Sequence, residues 1–267
     1  MMHKLPLITE KTRMVKISEE LSIAEKVHAK AKLLSEEAEL IPQSLRDSWL
    51  NYLKQRLEHY VSVISRLPPP QSCGRLLEIG CVPGHLTIIM ADLGYQLCCV
   101  DINPGRLAEL WKAHGIKVHQ VNIETERLPF EDGYFSVVLF TEILEHLRIQ
   151  PIFALREVFR VTKDGGQLIL SVPNITPRKR WKFLFGHDYQ GDIVKSFEQL
   201  EKVGHTGHIR LYSVREIRRI LEHVGYTDMK FACEGKIKGS KLWQLLFLWR
   251  NHFRSILYCV AIKSNCS

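Results

Sequence analysis

Two carboxylates flank a glycine bend at a spacing that suits a nucleoside-bearing cation. The stretch Leu76-Leu77-Glu78-Ile79-Gly80-Cys81-Val82-Pro83-Gly84-His85-Leu86 reads as a buried strand that enters a glycine bend and then opens a helix. Glycines at that bend let the backbone approach a ligand and permit a tight strand-to-helix crossing. Asp101 follows Gly80 by 21 residues, at the end of the next apolar run. A carboxylate there can accept both hydroxyl hydrogens of a ribose. The bend carries Gly80 and Gly84 without the third glycine of a dinucleotide fingerprint, so it is poorly suited to a pyrophosphate. Glu78, just before the first glycine, would repel a pyrophosphate and attract a ligand with an ammonium and a sulfonium.

These residues need a frame of short strands, and the pattern supplies one. From residue 75, apolar runs alternate with helical ones. Arg75–Ile79, Leu97–Val100, Lys117–Val121, Phe135–Phe140 and Gln167–Val172 read as strands, with helices over His85–Leu93, Pro104–His114 and Pro151–Val161 between them. Phe135–Phe140 is near-continuously apolar, as a strand covered on both faces should be. Lys163-Asp164-Gly165-Gly166 is a turn signal. Met229–Cys233 and Ser255–Ile262 read as an antiparallel pair at the sheet edge. The expected architecture is α/β: a Rossmann-like, doubly wound, mostly parallel seven-stranded sheet with that antiparallel edge pair.

Ahead of the sheet, residues 18–40 carry a helical stripe, and a clearer helix runs from about Leu45 to Leu67 with Ser44 placed to cap it. Pro68-Pro69-Pro70 then ends the helix. Residues 1–70 are therefore expected to form a helical cap on a domain spanning 71–267. Within that domain the rhythm breaks over 173–212, the expected substrate-side insertion. Ser213-Val214-Arg215-Glu216 is a capping box for a later helix that Gly225 closes.

The five motifs of this region, in their order, resemble the class I S-adenosylmethionine-dependent methyltransferases, specifically the broad group related to ubiquinone-biosynthesis methyltransferases. Glu78-Ile79-Gly80-Cys81 with Gly84 is similar to the first family motif, and Asp101 to its ribose-binding acid. Asn122-Ile123-Glu124 before Leu128-Pro129-Phe130 resembles the adenine-side loop. Thr141-Glu142-Ile143-Leu144-Glu145-His146-Leu147 resembles the segment after the fourth strand, and Gly165-Gly166-Gln167-Leu168 the turn into the fifth. The resemblance implies S-adenosyl-L-methionine as cofactor, with Glu78, Gly80, Cys81, Gly84, Asp101, Ile102, Asn122, Ile123 and Thr141 as its binding residues. Three positions depart from the family pattern. Val82 stands where a small residue is usual and would crowd the methionine end. Asn122 replaces a common acid, and Ser136 a frequent aspartate.

Methyl transfer from a sulfonium is an in-line displacement that needs positioning, desolvation and at times a base. His146 is the expected catalytic base, because it follows the fourth strand and titrates near neutrality; the plainer alternative is a packing or capping role. No metal is assigned. Glu142, Glu145 and His146, with His205 or His208, are the residues that would hold one if the segment were helical, and an ordinary helix start is the plainer reading. His187-Asp188-Tyr189, His205, His208, Arg210 and Tyr212 are candidate substrate contacts on the irregular segment.

The net charge of +8 is uneven: residues 71–175 carry −3 and residues 176–267 carry +9. The basic third suits phosphates, nucleic acid or an anionic membrane surface, with a solvated basic face as the plain alternative. Arg178-Lys179-Arg180-Trp181-Lys182 and Lys236–Trp249 interleave aromatics with that charge, which fits a peripheral membrane or RNA contact, or a buried helix. No apolar stretch is long enough to span a bilayer, and the N-terminus lacks a signal-peptide core. Seven cysteines without paired spacing read as reduced thiols, so a cytoplasmic location is expected. The expected acceptor is a small molecule or a lipid-linked or glycan intermediate, methylated at oxygen. The alternatives are a metal-dependent RNA 2′-O-methyltransferase and a non-catalytic binding module. The acceptor's identity and the oligomeric state are not legible in the sequence.

Overall fold

Central strands that are apolar on both faces account for the architecture. In the computed structural model, which describes residues 21–175, 209–235 and 255–264 and positions 185, 194 and 198, seven strands form one sheet. They are β1 (Arg75–Ile79), β2 (Gln96–Asp101), β3 (Val118–Gln120), β4 (Phe135–Thr141), β5 (Thr162–Pro173), β6 (Tyr226–Glu234) and β7 (Ile256–Lys263), in the order β3-β2-β1-β4-β5-β7-β6. Strands β1 to β5 pair in parallel. β7 runs antiparallel to both β5 and β6, giving the mixed edge that the sequence indicates.

Successive side chains of each central strand point to opposite faces. Leu76, Val137, Leu139 and Ile169 join one core with helices α1 (Ile23–Glu36), α2 (Gln43–Ile64) and α4 (His85–Asp92). Leu77, Val138, Phe140, Leu168 and Leu170 join the other with α6 (Pro151–Val161) and α7 (Val214–Val224). The short helices α3 (Pro70–Cys73) and α5 (Ala108–Ala113) complete the connections. The apolar run of β4 is thus covered on both sides.

Several boundaries differ from the sequence reading, each for a local reason. Helix α2 begins at Gln43 behind Pro42, which makes no side-chain cap, so Ser44 lies inside the helix rather than at its end. The stripe over 18–40 is interrupted: α1 starts behind Ser22, whose hydroxyl and the Glu25 carboxylate form a reciprocal capping box, and gives way at Glu37 to a 3₁₀ turn over Ala38–Leu40. The 104–114 segment is likewise a 3₁₀ turn, Pro104–Leu107, followed by α5.

The turn signal at Lys163–Gly166 proves to be an irregularity within β5. Pairing jumps from Phe135↔Thr162 to Val137↔Gln167, leaving the intervening residues looped out. Gly166 is required there, since a Cβ would lie 2.7 Å from the Lys163 carbonyl oxygen. Among the described residues no helix is long and apolar enough to cross a membrane.

The capping box of α7 forms as read. The Ser213 hydroxyl accepts from the Glu216 N–H at 3.3 Å, the Glu216 carboxylate accepts from the Ser213 N–H at 2.9 Å, and Gly225 ends the helix in the left-handed conformation. Ser213→Ala is expected to cost about 1 kcal/mol, read as a lowered urea midpoint with unchanged slope.

Candidate functional site

Strand β1 delivers Glu78 and the glycine bend to the carboxyl edge of the sheet, and β2 delivers Asp101 beside them. Gly80 takes φ +75° and Gly84 φ +89°, both in the left-handed region. The Gly80 N–H donates to the Val100 carbonyl at 2.8 Å, tying the bend to β2. Asp101, 7% exposed, accepts from the Val82 N–H at 3.0 Å through Oδ2 and from the Asn103 N–H at 2.8 Å through Oδ1. Each carboxylate oxygen has lone-pair capacity beyond these bonds. The carboxylate and the bend therefore form one unit, oriented by the backbone.

Glu78 is buried, and its Oε2 accepts from the Thr87 hydroxyl at 2.7 Å. Desolvation raises its pKa to about 8, opposed by the Thr87 hydrogen bond and reinforced by the Asp101 charge. A cation brought beside it would restore the ionised form.

A cavity of about 80 Å³ opens between α2, the glycine bend and the end of β4. Glu78, Gly80, Cys81, Gly84 and Thr141 line it, together with Glu142 and Ile143. Asp101, Ile102, Asn122 and Ile123 do not line it. They sit on the adjoining strand ends, with Ile102 exposed and Ile123 buried. Val82 also lines the cavity and packs partly onto the α1/α2/α4 core. Arg56, Tyr52, Tyr60 and His85 also line it, and His59, Pro83 and Leu86 complete the lining. Sequence reasoning did not single out the first four. The α2 residues sit on a helix legible only as an apolar stripe, and His85 only as a helix start.

The segment after β4 does not form the helix on which the metal grouping was conditional. Glu142 adopts φ +57°, and only Leu144–His146 make a 3₁₀ turn, so Glu142, Glu145 and His146 do not share a helical face. Glu142 pairs with Arg56 at 3.1 Å, and Glu145 is fully buried. Among the described residues no group of three or more histidine, cysteine, aspartate or glutamate side chains could hold a metal ion. His146 is partly exposed, 3.9 Å from the Glu145 carboxylate, and is not among the residues lining the cavity.

Within the loop after β3, the Asn122 side chain accepts from the Glu124 N–H at 3.1 Å. Glu124 then accepts from the N–H groups of Arg148, Ile149 and Gln150 at 2.6, 2.5 and 3.2 Å, capping the approach to α6. Arg210 and Tyr212 stand next to the Glu145 turn and α7: the Glu145 carbonyl accepts from the Arg210 N–H, and the Arg210 guanidinium pairs with Glu216. His187, Asp188, Tyr189, His205, His208, the basic run 178–182 and the stretch 236–249 lie outside the described residues.

Residues 52–230 match the family described as a methyltransferase domain. The chain belongs to that family. S-adenosylmethionine is the methyl donor of the family. The chain is 33% identical over 121 residues to a ubiquinone biosynthesis O-methyltransferase of Xanthomonas oryzae pv. oryzae, covering 43% of this chain and 49% of the relative. It is 35% identical over 139 residues to the protein of that name from Xanthomonas axonopodis pv. citri, covering 50% and 55%. The chain thus spans about half the length of the curated relatives it matches.

Among solved structures, the fold is shared with a SAM-dependent methyltransferase from Archaeoglobus fulgidus, with TM-score 0.54 at 20% identity over 80% of this chain and 94% of that one. It is also shared with an N-methyltransferase of Haemonchus contortus crystallised with phosphomonomethylethanolamine and S-adenosylhomocysteine, with TM-score 0.53 at 15% identity over 78% and 53%. The donor's chemistry fits the residues of this site. Buried Glu78 lacks a cationic partner in its hydrogen bonds, and the cradle at Gly80 is one that a Cβ would fill, at 2.1 Å from Ile143 Cδ1.

Proposed function

We propose that the protein transfers the methyl group of S-adenosylmethionine to an oxygen of a small-molecule, lipid-linked or glycan acceptor. The observation that carries this reading is the hydrogen bond from the Val82 N–H to Asp101, which locks a ribose-accepting carboxylate against the glycine bend. In this reading Asp101 accepts the ribose hydroxyls, Glu78 neutralises the cationic amino-acid end, and Gly80, Cys81 and Gly84 give the close backbone approach. Ile102, 60% exposed, and Ile123 offer apolar faces to the adenine, with Asn122 at its edge. Thr141 lies where the strand end meets the reacting methyl group. Oxygen as the acceptor atom is supported by the likeness to the ubiquinone biosynthesis O-methyltransferases.

The donor supplies the reactivity as a sulfonium. The acceptor oxygen forms a bond to the methyl carbon, the carbon–sulfur bond breaks with its electron pair passing to sulfur, and the acceptor's proton leaves to a base. His146 is the base in this reading, reaching the acceptor from the 3₁₀ turn after β4. The N-terminal helices form the cap over the donor's amino-acid end, and residues 173–212 the acceptor side.

Methyl transfer from radiolabelled donor to a panel of phenolic, glycan and lipid-linked hydroxyl compounds tests the proposal. Label is expected in an ether linkage. Label recovered only on nitrogen or carbon, or none across the panel, would overturn it. His146→Ala is expected to lower turnover by about 100-fold without changing donor affinity in calorimetry.

A further inference from the structure

His59 of α2 lines the cavity on the side of the sheet away from the glycine bend. Thr141 pairs with Ser171, and Ser171 with Tyr258, so the three form one row across β4, β5 and β7. Neighbours in such a row point to the same face, and Tyr258 belongs to the core under α2. Strands lie about 4.8 Å apart, which puts the Tyr258 backbone about 10 Å beyond Thr141, in the direction leading away from β1. There the Tyr258 hydroxyl lies 2.7 Å from His59 Nδ1, and the two rings stack at 5.7 Å. Arg66 lays its guanidinium over the Tyr258 ring at 4.2 Å and pairs with Glu234, which holds the phenol in place.

His59 is 5% exposed, and its burial, with the Arg56 and Arg66 charges nearby, holds the imidazole pKa well below the usual value. The ring is therefore neutral and carries one hydrogen. Tyr258 is buried too, which raises its pKa, so the phenol keeps its own hydrogen. The imidazole lone pair is the acceptor at hand, so Tyr258 donates to Nδ1 and the ring hydrogen sits on Nε2. Among the described residues, the side-chain nitrogens sealed off without a partner are Arg46 Nε, Arg56 Nε and His85 Nε2. His59 Nε2 is not one of them, and the hydrogen bond of its ring is the one at Nδ1. Nε2 therefore reaches the open space that His59 borders, which is the cavity.

We infer that His59 Nε2–H binds an oxygen of the methyl acceptor other than the one methylated, with Tyr258 acting through His59 as a positioning residue. This rests on the transfer reading above, and it narrows the acceptor to hydroxyl compounds that carry a second oxygen able to accept a hydrogen bond, such as a carbonyl. A nitrogen that already holds its hydrogen has no lone pair for the acceptor's proton, so His59 binds and does not serve as base. A hydrogen bond to the attacking oxygen would draw off the electron pair that must reach the methyl carbon, which leaves the second oxygen as the partner. An acceptor without it leaves the buried N–H unmatched, and a site of that kind discriminates against such an analogue.

Calorimetry on the protein saturated with S-adenosylhomocysteine tests the assignment with 4-hydroxyacetophenone and 4-ethylphenol, phenols of similar shape with and without a carbonyl. Wild type is expected to bind the ketone about tenfold more tightly. His59→Leu should abolish that preference, and His59→Gln, whose amide offers an N–H, should keep most of it. Both variants should bind S-adenosylhomocysteine within about twofold of wild type. Equal affinity of wild type for the two phenols, no binding of either, a preference that survives His59→Leu, or a matching loss of donor affinity would overturn the inference. Nitrogen NMR of the labelled imidazole carries the test should His59→Leu not fold: a neutral ring protonated at Nε2 is expected, and protonation at Nδ1 would overturn it. Tyr258→Phe is expected to weaken the ketone alone, by about threefold, and an unchanged value would remove Tyr258's positioning role. If wild type does not bind S-adenosylhomocysteine, the donor reading itself falls and this inference with it. Label transferred across the hydroxyl panel without preference for a second oxygen sinks this inference alone.

Discussion

Asp101→Ala is expected to weaken binding of S-adenosylmethionine by about 1000-fold, the equivalent of about 4 kcal/mol. Two hydroxyl-to-carboxylate hydrogen bonds are lost, each worth about 1.5–3 kcal/mol because one partner is charged. The substitution also removes the acceptor for the Val82 and Asn103 N–H groups, so the bend loses its tie to the end of β2. Asp101→Asn separates the two contributions. It retains one acceptor oxygen and nearly the same shape, so an intermediate loss is expected. Calorimetric titration measures both variants, and a thermal melt without ligand reports any damage to the fold. Donor affinity unchanged in Asp101→Ala would remove this carboxylate from the site.

Donor affinity is expected to rise with pH, because Glu78 is protonated in the ligand-free protein below a pKa of about 8. The bound cation favours the ionised carboxylate, so the proton must leave on binding. Affinity should then fall by up to tenfold per unit of pH below the ligand-free pKa, or about 150-fold between about pH 8 and about pH 5.5. Glu78→Gln should flatten this profile and leave the weak affinity seen at low pH.

The same group acts on stability in the opposite direction. Its folded-state pKa lies above the unfolded value, so the ligand-free fold holds the proton more tightly than the unfolded chain does. Its contribution is fully present below the ordinary carboxylate range and is lost as pH rises through about 8. Melting curves across that window should show the ligand-free protein losing stability as it gains donor affinity, and parallel trends in both would contradict the assigned role of Glu78.

The part of this site that was legible in the sequence is the part encoded locally. Gly80, Gly84 and Asp101 announce themselves because a strand, a bend and the next strand end lie within one βαβ unit, where parallel pairing places them side by side. Arg56, Tyr60 and His85 do not, because their meeting depends on how α2 lies across the bend. That is a tertiary choice made by Trp49, Val63 and Ile64 packing into the core, and nothing in the α2 periodicity says which polar residue points at the cavity. The grouping of Glu142, Glu145 and His146 misled for a related reason. Their spacing is helical, but the chain takes a left-handed turn at Glu142, whose carboxylate pairs with Arg56. The Ser22-x-x-Glu25 box shows the converse case: a local signal within a longer apolar stripe, fixing where α1 begins.

The central physical claim is that a backbone-anchored carboxylate on β2 grips an adenosyl sugar at the edge of the glycine bend. The most direct measurement is a calorimetric comparison of S-adenosylhomocysteine with its 2′-deoxy counterpart on the wild-type protein. The account predicts that S-adenosylhomocysteine binds and that removing one ribose hydroxyl weakens it by about tenfold or more. Equal affinity for the two, or no binding of either, would contradict it.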